Sequence, residues 1–171
     1  MSYLRTCSPR ALPIAMFLTL TVLFSNRALQ AKDPPSDACG MLPAAQLTKV
    51  LEQPFGSPTK TVAPAAFRGS PTGTDCTYQS GKGLPRKLLF RIYVESSTAA
   101  AKETFTKLSA YYGPNTPVAG NWDTAYLDSR HAIHVQKGKA RYYLNLNPLG
   151  TDTPKAEKQL KDLATWVAGQ L

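Results

Sequence analysis

His131 and His134 are the only imidazoles in the chain, and their spacing decides what they can do. Three positions apart on a strand, they project from opposite faces. Regular β geometry therefore bars them from sharing one metal ion, and an H-E-x-x-H zinc site is excluded. Ser70 has glycines nearby, but Arg68 and Thr72 stand where a G-x-S-x-G nucleophile turn needs glycine. Gly81-Lys82-Gly83 lacks the six-residue frame and the hydroxyl of a phosphate loop and reads as a hairpin loop. The acids Glu52, Glu95, Glu103, Asp123 and Asp128 fall on different elements. Nothing in their spacing converges two of them into the pair that a glycoside hydrolase uses. The sequence thus assigns no catalytic residue, no metal ligand and no cofactor.

A different constellation carries binding chemistry. Along three candidate strands, the positions opposite the obvious apolar side are Arg91, Tyr93 and Glu95, then His134 and Gln136, then Arg141, Tyr143, Asn145 and Asn147. If these strands adjoin, they form one polar, aromatic, net-basic face. Arg91, Tyr93, His134, Arg141, Tyr143 and Asn145 are the candidate ligand-binding residues. Stacking and charged hydrogen bonds would suit an anionic or carbohydrate ligand. The competing reading is an ordinary solvated sheet face, or one covered by the first helix.

The elements that must position these residues follow from periodicity. Leu47, Val50 and Leu51 recur at helical spacing after Pro43, and Pro54 stops that helix. Thr59 to Phe67 is β-leaning, with Pro64 marking an edge strand. Cys76 to Gln79 is a short strand after the turn cluster Gly69 to Gly73. Lys87 to Glu95 alternates most clearly, with Leu88, Phe90, Ile92 and Val94 on one face. Ser96 or Ser97 caps a second helix whose stripe is Ala101, Phe105, Leu108 and Tyr112. Trp122 to Leu127 is a strand. Arg130 to Lys137 and Ala140 to Asn147 form a hairpin across Gly138-Lys139. Thr153 as cap and Pro154 open the last helix, whose buried line is Leu160, Leu163, Val167 and Leu171. The order α-β-β-β-α-β-β-β-α predicts an α+β domain built on an antiparallel sheet of five or six strands. Two helices are expected on one face, with the short first helix on the other or at an edge.

The N-terminus speaks to compartment. Arg5 and Arg10 precede an uncharged apolar run from Ala11 to Phe24, and small Ala31 follows. This is the layout of a secretory signal peptide over residues 1–31, with a run too short for a bilayer span of about 20 residues. Residues 32–38 then form a flexible leader, and residues 39–171 a single domain. Losing Arg5, Arg10 and Arg27 with the leader lowers the formal charge from +9 to +6. That balance steers anions weakly and falls short of a nucleic-acid footprint. Cys7 would also be lost, leaving Cys39 and Cys76. An even pair in an oxidising compartment, without C-x-x-C or clustered metal ligands, reads as a structural disulfide.

Cys39, Leu42 and Leu47, then Cys76 and Tyr78, then Gly120, Asp123, Ala125 and Tyr126, then Val135, Lys137 and Gly138, follow a pattern over most of the mature chain. It resembles small secreted bacterial domains of unknown function, many of them actinobacterial and acidobacterial lipoproteins. Trp122 stands where that pattern has a glycine. Some of these domains resemble the PsbP-like fold, which implies an antiparallel sheet with helices on both faces. The resemblance brings no catalytic mechanism, and the chain lacks a lipobox. The expectation is a periplasmic or extracellular, non-enzymatic binding or accessory domain of the cell envelope. It would have no transmembrane anchor and no nucleic-acid partner. Its partner would be an envelope protein or an anionic or carbohydrate ligand. The alternatives are a small envelope hydrolase using scattered carboxylates and an inhibitor or chaperone-like partner of another secreted protein.

Overall fold

The computed structural model describes residues 37–81 and 85–171. The predicted signal peptide, most of the predicted flexible leader and the middle of the Gly81–Pro85 loop lie outside the described residues. After a short 3-10 turn at Cys39–Met41 come helix α1 (Ala44–Leu51) and strands β1 (Thr59–Ala63), β2 (Gly73–Gln79) and β3 (Lys87–Val94). Helix α2 (Thr98–Tyr112) follows, then β4 (Thr116–Pro117), β5 (Thr124–Leu127), β6 (Ile133–Lys137), β7 (Ala140–Asn147) and α3 (Thr153–Ala168). The fold is α+β. Its strands form one sheet in the order β1-β2-β3-β7-β6-β5-β4, antiparallel at every pairing.

Among the described residues the sheet has seven strands, against the predicted five or six. The addition is β4, whose two residues pair with Tyr126 and Leu127 and are too few to show any periodicity. β1 is an edge strand as Pro64 implied. It ends at Ala63 rather than reaching Phe67, since proline has no N–H to continue the ladder.

Period-two alternation separates two chemistries. The register sets Leu88 against Leu146, Phe90 against Leu144 and Ile92 against Tyr142, and Ile133 and Val135 extend the same side. This apolar face takes both α1 and α3. Leu47 and Leu51 from α1, and Leu160, Leu163, Ala164 and Val167 from α3, are buried in one core with it. The Tyr142 hydroxyl donates to the Ala164 carbonyl (2.7 Å), and Gln159 Nε2 donates to the Val50 carbonyl (2.8 Å). Helix α2 lies on the opposite face, where Phe105 packs on Tyr126 (centroids 5.1 Å). The expected grouping of helices is therefore corrected: α1 and α3 share a face, and α2 covers the other. An apolar stripe shows that a helix packs, not on which side of the sheet it does so.

One cap shifts and the other falls on one of its two predicted residues. The cap of α3 is Asp152, whose carboxylate accepts from the Lys155 N–H (3.0 Å), one residue before the predicted Thr153. Helix α2 is capped by Ser97, accepting from the Ala100 N–H (3.1 Å). Cys39 and Cys76 form a disulfide that ties the entry turn to β2. Beside it the Tyr78 hydroxyl bonds the carbonyls of Leu42 (2.6 Å) and Cys39 (3.1 Å).

Candidate functional site

The second sheet face assembles as two parallel rows of side chains. Register aligns Asp75, Arg91, Tyr143, His134 and Tyr126 across β2, β3, β7, β6 and β5. In this row His134 is stacked between Tyr126 (4.7 Å, 14°) and Tyr143 (5.3 Å, 13°). The Arg91 guanidinium lies 5.5 Å from the Tyr143 ring centroid. Arg91 Nε and Nη2 donate to the two carboxylate oxygens of Asp75 (2.5 and 2.6 Å). Those hydrogen bonds raise the Arg91 pKa further, against the opposing effect of burial. Cross-strand aromatic and charged pairs of this kind are the unit of sheet stabilisation.

The neighbouring row carries Tyr93, Arg141 and Gln136. Arg141, 3% exposed, stacks on Tyr93 at 4.7 Å. Its Nε and Nη2 both donate to Glu95 Oε1 (2.9 and 2.5 Å). Tyr93 passes over Gly73, where a Cβ would lie 2.7 Å from the tyrosine ring, so only glycine fits there. The Tyr93 hydroxyl donates to the Pro64 carbonyl (2.9 Å) and so ties down the segment after β1. Burial raises the phenol pKa of both Tyr93 and Tyr143.

Helix α2 and residues 64–67 overhang these rows and bound a half-open cavity of about 420 Å³. That size falls within the range of small-molecule sites. Arg91, Tyr93, His134, Arg141 and Tyr143 line it, with Phe67, Phe105, Leu108, Tyr111 and Tyr112 among the residues opposite. Five of the six residues singled out from the sequence thus come together. Asn145 does not; it stands opposite Leu89, outside the lining. The surface is a partly covered cavity, neither a fully open face nor one capped by the first helix. The sequence reading missed the roof because Leu108 and Tyr112 continue the apolar stripe of α2. Both are only half-buried, and they hang over the cavity rather than entering the main core.

The histidines also part from expectation. His131 is not on β6 but in the preceding turn, at φ 60°. The Asp128 carboxylate organises that turn by accepting from the N–H groups of Arg130 (2.9 Å) and Ala132 (3.0 Å), the local bonding that favours aspartate in turns. His131 Nδ1 meets Glu157 Oε1 at 2.6 Å, whereas His134 Nε2 meets Asp128 Oδ2 at 3.1 Å. His134 is buried. Among the described residues no group of three or more His, Cys, Asp or Glu could hold a metal.

Burial by itself would raise the Asp128 pKa. The hydrogen bonds from His134, Ala132 and Arg130 outweigh it and bring the carboxyl down to about 2. A depressed folded-state pKa gives stability that is present above the unfolded value of about 4 and is lost as pH falls towards about 2. Urea unfolding followed across that window should show a fall of roughly 1–2 kcal/mol from this group. In Asp128→Asn that part of the slope should vanish. Identical acid limbs in the two proteins would refute the assignment.

The acids considered for hydrolysis are engaged separately. Glu52 pairs with Lys155, Glu103 with Lys107 and Glu95 with Arg141. Asp123 accepts from Gln136 Nε2 and the Gly138 N–H, and Asp128 from His134 and Arg130. No Asp or Glu is among the described residues lining the cavity. No helix among the described residues is long and apolar enough to cross a membrane. No family model matches the chain, and no curated protein matches it either.

Proposed function

We propose that this protein is an exported, disulfide-stabilised binding domain of the cell envelope that holds a small molecule between its sheet and α2 without transforming it. The observation that carries the reading is the cavity itself, with buried Tyr93 and Arg141 beside Arg91, Tyr143 and His134 in its floor. Ion pairs and stacking fix these side chains before any ligand arrives, which lowers the ordering cost of binding. The bridge between Cys39 and Cys76 supports an oxidising compartment. An antiparallel sheet with helices on both faces is the arrangement that a resemblance to small secreted bacterial PsbP-like domains implies. Export itself rests on the leader sequence, and N-terminal sequencing of the purified protein should begin at Lys32.

The cavity is tested by filling it. Wild-type protein and Leu108→Trp, which places an indole under the roof, are incubated with a small-molecule extract of the host, dialysed and analysed by native mass spectrometry. A bound mass retained by the wild type and absent from a folded Leu108→Trp is expected. Equal retention by both proteins, or retention by neither, would overturn the reading.

A further inference from the structure

The cavity floor is more specific than its size. Arg91 faces Tyr143 and Tyr93 faces Arg141 across β3 and β7, so arginines and tyrosines alternate at the corners of a square. Arg91 and Arg141 sit on one diagonal, where cross-strand neighbours are roughly 7–8 Å apart. Arg91 uses Nε and Nη2 on Asp75 and also hydrogen-bonds the Tyr93 hydroxyl, which leaves Nη1 outside the carboxylate fork. Arg141 commits Nε and Nη2 to Glu95, and its Nη1 donates to no acceptor among the described residues. Both arginines line the cavity, and neither Asp75 nor Glu95 does. The carboxylates therefore flank and orient the cations from outside the lining, and the wall shows arginine donors.

Three features narrow the ligand. A planar group with two acceptor oxygens matches two guanidinium corners. The floor already balances two cations with two anions, so one further negative charge is accommodated more readily than the two of a phosphate monoester. The roof supplies Phe67, Phe105, Leu108 and Tyr111, an aromatic and apolar ceiling without a charged group. We propose that the cavity binds a small monocarboxylate carried on a flat aromatic or apolar body, with the carboxylate held by Arg91 and Arg141 and the body under α2. This rests on the reading of the cavity as a ligand site and adds the ligand's class.

The probes are phenylacetate, phenylacetamide, phenyl phosphate and phenethylamine, which share a ring and differ in the head group. Each is titrated into the oxidised mature domain and followed by amide chemical shifts in β3, β7 and α2. Phenylacetate is expected to bind at least tenfold more tightly than the other three. Its affinity should fall at least tenfold in the charge-balanced double variant Arg141→Gln with Glu95→Gln. Arg91→Gln, which alters a half-exposed side chain, gives the same test if the double variant does not fold. Equal or tighter binding of the amide, phosphate or amine would overturn the carboxylate while leaving a ligand cavity in place. Binding of none of the four would also overturn it. The retained mass in wild type and Leu108→Trp then reports separately on whether the cavity holds a ligand at all.

Discussion

Glu95→Ala should destabilise the domain by about 3–5 kcal/mol in urea or guanidinium unfolding. Glu95 and Arg141 are 6% and 3% exposed, so removing the acid leaves a cation that water scarcely reaches. The remaining attraction is the stacking of Arg141 on Tyr93, worth about 0.5–2 kcal/mol, too little to offset a buried unpaired charge. The neutral double replacement Arg141→Leu with Glu95→Leu should recover most of the loss, because an apolar pair of similar volume removes both desolvation terms. A surface ion pair behaves differently, contributing at most about 1 kcal/mol. A Glu95→Ala loss below that level would mean that solvent reaches the pair.

Opening the disulfide is the second large effect. Cys39 and Cys76 are 37 residues apart, and closing a loop of that length removes about 4 kcal/mol of chain entropy from the unfolded state. The double variant Cys39→Ser with Cys76→Ser should lower Tm by roughly 10–20 °C. The folded state of the variant should persist at low temperature, because Tyr78 still bonds the carbonyls of Cys39 and Leu42. An unchanged Tm in protein whose two thiols are demonstrably free would overturn this account.

The alternation in β3 and β7 carries most of what was legible from sequence. Leu88, Phe90 and Ile92 could be assigned to one face and Arg91 and Tyr93 to the other because a strand's period is two. The hairpin across Gly138-Lys139 fixed β6 against β7 by the same logic. The sequence could not show that β3 joins β7, a pairing across more than forty residues. Nor could it show which face α2 covers, since Ala101 and Phe105 make the same stripe on either side. Asp75 escaped notice, and Asp128 stood only among the scattered acids, because their partners, Arg91 and His134, lie on other elements. The position of His131 was misread because the Asp128 side chain replaces strand bonding with a turn.

The alternation along β7 has a consequence for how this protein can change over time. Each neighbour along β7 answers to a different environment: Tyr142 and Leu144 to the helix-packed interior, Arg141 and Tyr143 to the chamber beneath α2. Sliding β7 by a single residue against β3 and β6 would exchange these assignments, placing guanidinium among leucines and leucine against histidine. Descendants of this chain can therefore retune what they hold by point replacement at alternate positions, whereas any change that slips β7 by one residue is closed to them.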